Sequence, residues 1–188
     1  MGYLSSEEIN KIGLAKVGKN VMISDKACIY SPHKISIGDN CRIDDFCILA
    51  GRVSIGNHVH IAVYSFLSGC EKGIVMEDYS GLAYGVKVLV NSDDYSGESM
   101  TNPTIPDKYK PKKQAKKVII QKHSIVGANS LIMPGVVLAE GTAVGANSMV
   151  LKTTEAWSVY FGNPAKKIKN RKKNILDLEK EFEQGLSN

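Results

Sequence analysis

An aliphatic residue returns at every sixth position along most of this chain. In "VGANSLIMPGVVLAEGTAVGANSMV" the residues are Val126, Ile132, Leu138, Val144 and Val150, and Ile120 precedes them in step. A helix repeats every 3.6 residues and a strand every two, so neither by itself produces a beat of six. The spacing is explained if each unit is one short strand plus one turn, with the aliphatic side chain always pointing inward and three units closing a triangular coil. The N-terminal half keeps the same beat at Val17, Ile23 and Ile29. After a two-residue insertion near Pro32 it resumes at Ile37, Ile43, Leu49, Ile55, Ile61 and Leu67, and a second insertion around "GCEKG" resets it to Met76, Leu82 and Val88. Fifth positions carry small or β-branched residues such as Cys41, Cys47, Val53, Val59, Ser65, Ser124, Ser130 and Thr142, as a second inward position in a narrow interior requires. Gly, Asn and Asp in "IGDN", "IGNH" and "VGAN" suit the tight turns. An ordinary sandwich of short strands would space its turns irregularly. The beat therefore predicts an all-β chain, a parallel β-helix of hexapeptide repeats in which about six coils, stacked ~4.8 Å apart, make a prism ~29 Å long.

The 188 residues fit a single domain spanning 1–188. It has three parts: an N-terminal helical segment at 1–14, the β-helix at 15–165, and a basic segment with a C-terminal helix at 166–188. Ser5 with Glu8 forms a capping box for the first helix, and Gly13 ends it. Ile175, Leu178 and Phe182 give the last helix an apolar face, expected to cover the open end of the prism. The beat stops for 27 residues at 91–117, "NSDDYSGESMTNPTIPDKYKPKKQAKK". A break of that length in a compact domain points to a functional excursion loop, and its prolines, tyrosines and Asp pair favour an ordered one. No apolar run reaches the ~18 residues of a membrane span, and "MGYLSSEEINK" lacks the apolar core of an export signal. The four cysteines, Cys28, Cys41, Cys47 and Cys70, show no CxxC pairing. Small thiols in a reduced, cytoplasmic protein are expected rather than a disulfide framework or a metal site. The net charge of +5 is concentrated in "KYKPKKQAKK" and "KKIKNRKK". These runs lack interleaved aromatic platforms apart from Tyr109, which argues for anionic small molecules and against nucleic acid.

The units "IGDNCR" and "IGNHVH", the long "VGAN" stretch and the following "VYFGNPAKKIKNR" resemble the hexapeptide-repeat acyltransferases over roughly residues 15–171. That resemblance implies a left-handed coil, an exception to the usual right-handed crossover. It also implies a homotrimer with active sites between neighbouring prisms, and acetyl-CoA as acyl donor. The acceptor it implies is a sugar, nucleotide-linked or part of a bacterial surface polysaccharide, O-antigen or lipopolysaccharide precursor, acetylated on a hydroxyl or an amine. Carried over by matching motif, the donor contacts fall at Ala128 and Ala146 in the two "VGAN" units, at Lys152, and at Lys166 and Lys169 in "NPAKKIKNR". The small residues would let pantetheine approach the backbone, and the lysines would neutralise phosphates.

Acyl transfer from a thioester needs a base for the acceptor's proton, and four histidines are available. His33 lies in an irregular corner, while His58 and His123 sit at turns and are expected to be solvated. His60 precedes an inward residue, points outward from a flat face, and is followed by an apolar, aromatic sequence, so it is the candidate base. If units cycle through three faces, His60 and His123 share a face two coils apart, ~10 Å at the usual spacing, and flank one cleft. Galactoside and maltose acetyltransferases of this family carry a catalytic histidine where the excursion begins. This chain has Asp93, Asp94 and Tyr95 there. Asp94 is the second catalytic candidate, through orienting His60 or accepting a proton, and Asp93 and Tyr95 are candidates for the acceptor sugar. Two alternatives use the same prism. One is a non-catalytic trimeric scaffold, and the other is a γ-type carbonic anhydrase, which needs three convergent histidines that this spacing does not supply.

Overall fold

The computed structural model describes residues 2–186. All eighteen units fall into three parallel stacks. The first face stacks Val17, Ile37, Ile55, Met76, Ile120 and Leu138. On the second face Ile23, Ile43, Ile61, Leu82, Val126 and Val144 are followed by Tyr160 in a partial seventh coil. Ile29, Leu49, Leu67, Val88, Ile132 and Val150 form the third. Apart from Val17 and Ile29 in the first coil, each of the eighteen is at most 3% exposed. The second inward column is buried too, and its polar members are satisfied by the neighbouring coil. Ser65 Oγ donates to the Ala83 carbonyl at 3.2 Å, Ser130 Oγ to Gly145 at 2.9 Å, and the Cys47 thiol to Ala62 at 3.1 Å. Burial pushes the Cys47 thiol up to about 11, so it is an inert packing group.

At the corner between the first and second faces, the fourth residue of each unit adopts left-handed backbone: Asn20, Asn40, His58, Tyr79, His123, Gly141 and Trp157, with φ between 53° and 69°. The strain is offset because the N–H of each such residue from the second coil onward donates to the previous coil, as His58 does to Asp39 at 2.9 Å and Tyr79 to Asn57 at 3.0 Å. The shared conformation aims these side chains alike. His58 stacks on Tyr79 (5.0 Å between centroids) and Tyr79 on His123 (5.4 Å), with Trp157 6.1 Å beyond. His123 is therefore buried and not solvated as the turn position suggested, and His58 is half-buried.

Helix α1 (Ser6–Ile12) carries the expected reciprocal Ser5–Glu8 cap and ends at Gly13 with φ 78°; it buries Ile9 at the N-terminal end of the prism. Helix α2 (Ile175–Leu186) does not cover the other end, as its apolar pattern suggested. It runs down the aromatic corner. Glu179 Oε2 accepts from His123 Nε2 at 2.9 Å, Glu183 accepts from Tyr79 Oη at 3.1 Å, and Phe182 sets its edge against His58 and Tyr79. One helical turn advances ~5.4 Å and one coil ~4.8 Å, so residues four apart on α2 meet successive rungs. Leu178 is left facing solvent. Past the last full coil the second face is extended by a hairpin, Ser158–Phe161 against Lys166–Asn170, and Trp157, 8% exposed, precedes it at the aromatic corner.

The excursion leaves after the third face of the fourth coil and returns to the first face of the fifth. Its neck is an antiparallel pair, Asn91 with Ala115 and Ser92 with Gln114, from which the loop projects. No described helix is long and apolar enough to cross a membrane.

Candidate active site

His60 stands on the outer side of the second face, in the row Met22, Arg42, His60, Gly81, Ile125, Ala143. Its Nε2 lies 2.8 Å from Asp44 Oδ2. Arg42 Nε donates to Asp44 Oδ1 at 2.6 Å, and the Tyr3 hydroxyl donates to the same oxygen at 3.3 Å. The Asp44 side chain is 3% exposed, whereas that of His60 is 50% exposed. Burial alone would raise the Asp44 carboxyl; the hydrogen bonds from Arg42 and His60 outweigh it and hold the group below the ordinary aspartate range. When His60 is neutral, a carboxylate on Nε2 selects the tautomer that carries its proton there, which leaves Nδ1 as the accepting nitrogen. His60 is thus oriented by a buried acid and not desolvated by the sequence that follows it.

Asp44 was not anticipated. Its column on the second face reads Ser24, Asp44, Ala62, Ala83, Gly127, Gly145. One charged residue in a column of small ones, sixteen positions before His60, is the signal that could have revealed it.

Beside His60 the face is concave, with a cavity of about 360 Å³ lined by Ala62, Gly81, Ala83, Ile125 and Gly127 among others. A second cavity, of about 430 Å³, gathers Asp93, Asp94 and Tyr95 with Gln114, Met133 and Leu151 where the excursion meets the third face. The three loop candidates are therefore brought together. Within one chain they do not join His60, whose orienting carboxylate is Asp44 and not Asp94. Asp94 accepts from the backbone N–H groups of Ser96, Glu98 and Ser99 at 2.9–3.0 Å and from Ser96 Oγ; these bonds, that from Ser96 foremost, keep its carboxyl below the ordinary range. Asp93 accepts from the Asn102 N–H at 3.2 Å. Tyr95 is 92% exposed.

His123 does not flank a cleft with His60; it turns into α2. Lys122 meets the second oxygen of Glu179 as an ion pair without an aligned hydrogen bond. Ala128 and Ala146 lie one coil apart at the corner between the second and third faces, where Asn147 N–H donates to the Ala128 carbonyl at 2.8 Å. A Cβ on Gly127 would come within 2.5 Å of Ala146 N, so the coils approach there as closely as backbone allows. Lys166 and Lys169 are exposed on the capping hairpin, and Lys152 is exposed just past the third face. No cluster of three or more metal-ligating side chains exists among the described residues.

A family model described as bacterial transferase hexapeptide (six repeats) matches residues 34–69. The chain is 42% identical over 185 residues to an Escherichia coli dTDP-4-amino-4,6-dideoxy-D-glucose acyltransferase, covering 97% of this chain and 95% of that protein. It is also similar to AntD, an N-acyltransferase from Bacillus cereus solved with dTDP and 3-hydroxybutyryl-CoA. That likeness has 50% identity and a TM-score of 0.97 and covers 99% of this chain and 98% of the other. A variant of the same enzyme, solved with dTDP-4-amino-4,6-dideoxyglucose and coenzyme A, gives 51% identity and a TM-score of 0.96, with 98% of each chain covered.

Proposed function

The chain belongs to the hexapeptide-repeat acyltransferases, left-handed β-helix enzymes, and from that membership we propose that it transfers an acyl group from coenzyme A to the amine of a dTDP-linked amino sugar. The observation that carries this reading is the end-to-end likeness, at 50% identity, to an N-acyltransferase holding dTDP and an acyl-CoA. Of the two acceptors expected from the sequence, hydroxyl and amine, it selects the amine.

A neutral amine attacks the thioester carbonyl. The C–N bond forms, the C–S bond breaks, and the amine proton passes to His60 Nδ1 and then to the departing thiolate. The products are an amide and free coenzyme A. Asp44 keeps His60 in the tautomer that can accept this proton. The donor runs along the C-terminal coils past Ala128 and Ala146, and Lys152, Lys166 and Lys169 neutralise its phosphates.

The assembly is a homotrimer. The outer row of the third face carries Ile48, Phe66, Leu131 and Met149, half-buried in a single chain, with the exposed Lys87 between Phe66 and Leu131; its four apolar members support packing against a second copy. Asp93, Asp94 and Tyr95 of the adjoining excursion then reach the acceptor on the neighbour's His60 wall, with the Asp94 carboxylate orienting the sugar amine. The enzyme works in the cytoplasm, on precursors of a surface glycan.

The test presents dTDP-4-amino-4,6-dideoxyglucose and its 4-hydroxy counterpart with acetyl-CoA and with 3-hydroxybutyryl-CoA, following thiol release and product mass. Amide formation with the amino sugar is expected. Thiol release with the hydroxy sugar alone, or with neither, overturns the reading.

A further inference from the structure

The outer row of the second face has one missing rung. Met22, Arg42, His60, Ile125 and Ala143 each project a side chain, and Gly81 projects none. Packing does not demand glycine there: a Cβ would meet only the His60 carbonyl oxygen, at an ordinary 3.7 Å. Gly81 is also absent from the positive-φ glycines, so left-handed backbone does not demand it either. An interior strand glycine weakens a sheet, which makes an unforced one a mark of something approaching the backbone. The missing rung opens the 360 Å³ concavity, whose floor of Ala62, Ala83 and Gly127 is equally small. His60 forms one wall and Ile125 another, and no lysine, arginine or carboxylate lines it.

We propose that this concavity receives the acyl group of the donor and that Gly81 sets how long that group can be. The inference rests on the acyltransfer reading and refines its substrate class. The donor acyl group is uncharged and longer than acetyl, of about three to five carbons, and its thioester carbon lies beside His60 Nδ1. Acetyl would leave most of the space unfilled, and a succinyl or malonyl carboxylate would find no cation in it.

The experiment measures kcat/KM for acetyl-, propionyl-, butyryl-, 3-hydroxybutyryl- and succinyl-CoA with one amino-sugar acceptor. It uses the native protein, Gly81→Ala, Gly81→Leu and Ile125→Ala, each first checked for its thermal unfolding midpoint. The native protein should prefer the uncharged four-carbon acyl groups over acetyl, by about three- to five-fold for each added buried methylene, and should also prefer them over succinyl, whose carboxylate finds no cation. Gly81→Leu should lower the butyryl-to-acetyl ratio on the order of ten-fold, and Gly81→Ala by less. Ile125→Ala, which trims an exposed wall, should raise it. If the ratio is the same in all four proteins while transfer persists, the inference fails and the acyltransfer reading stands. A change confined to the KM of the sugar would assign the concavity to the acceptor and overturn it as well. No thiol release from the native protein with any donor would overturn both.

Discussion

Two histidine–carboxylate pairs occupy this prism, and they are built in opposite senses. At the corner, His123 meets Glu179 at 2.9 Å with side chains 7% and 10% exposed, and the acid comes from a helix laid over the coil. On the second face, His60 meets Asp44 at 2.8 Å; the acid is 3% exposed, and the imidazole is 50% exposed beside a cavity. The contact is the same, but only one pair leaves a ring nitrogen in reach of a substrate. A buried acid with an open histidine can exchange a proton with a ligand, whereas a buried histidine under an acid fastens two elements together.

The sharpest way to break that contrast is to delete each imidazole in turn. His60→Ala should reduce kcat/KM about 100-fold, the low end for a lost base because a neutral amine demands least of one. Its ring is half-exposed, so water can take its place on Asp44 and stability should fall by only about 0.5 kcal/mol, the low end for a lost hydrogen bond. His123→Ala should do the reverse, costing about 1 kcal/mol in denaturant unfolding while transfer stays near the native rate. Equal losses of activity in the two variants would erase the distinction. Next in size is Asp44→Asn, which keeps the shape but no longer dictates the tautomer. Steady-state kinetics should show kcat falling about 10-fold or more with KM for the sugar held, the signature of misplacement and not of lost binding. A rise in KM alone would make Asp44 a packing residue.

Smaller still is Glu179→Ala, which leaves His123 and Lys122 under the helix without their acid and should cost about 1 kcal/mol, read from the unfolding midpoint. Activity should be retained, since nothing on this corner faces either cavity.

The smallest effect is on pH. Burial alone would raise the Glu179 carboxyl, but Lys122 and His123 more than offset it, so its folded value lies below the ordinary one. A depressed acid adds stability that is fully present above the ordinary glutamate value of about 4.3 and lost as pH falls through the lower folded value. Trp157, the single tryptophan, lies 6.1 Å from His123 and reports on the corner. Its emission should change in that acid window before the far-ultraviolet signal of the coils does. Simultaneous loss of both signals would mean the helix is not separately fastened.

What the sequence disclosed and what it withheld follow from the range of each interaction. The eighteen inward positions were legible because a six-residue beat is local, and each unit restates it. Ser5, Glu8 and Gly13 were legible for the same reason. The placement of α2 was not: an amphipathic pattern says that a face is covered, and the covering surface was a corner of turn residues more than fifty positions earlier. His123 was misjudged because a turn position implies solvent only when nothing docks on the turn. Asp44 escaped notice because its partner lies sixteen residues on, one coil away, where only the register of the stack reveals the pairing. The loop candidates Asp93, Asp94 and Tyr95 share one cavity, but within one chain it is not the cavity beside His60.

The near-match between a helical turn and a coil sets a limit on the corner strap. Four residues of α2 rise ~6.0 Å and one coil ~4.8 Å, so each four-residue step overshoots its rung by ~1.2 Å and three steps slip by nearly 4 Å, like the scales of a vernier. Twelve residues use up the range over which glutamates four apart still find their rungs. Extending the helix by two further turns would add length without adding grip. A tighter strap would have to come from better anchors at Glu179 and Glu183, since a longer helix cannot stay in phase.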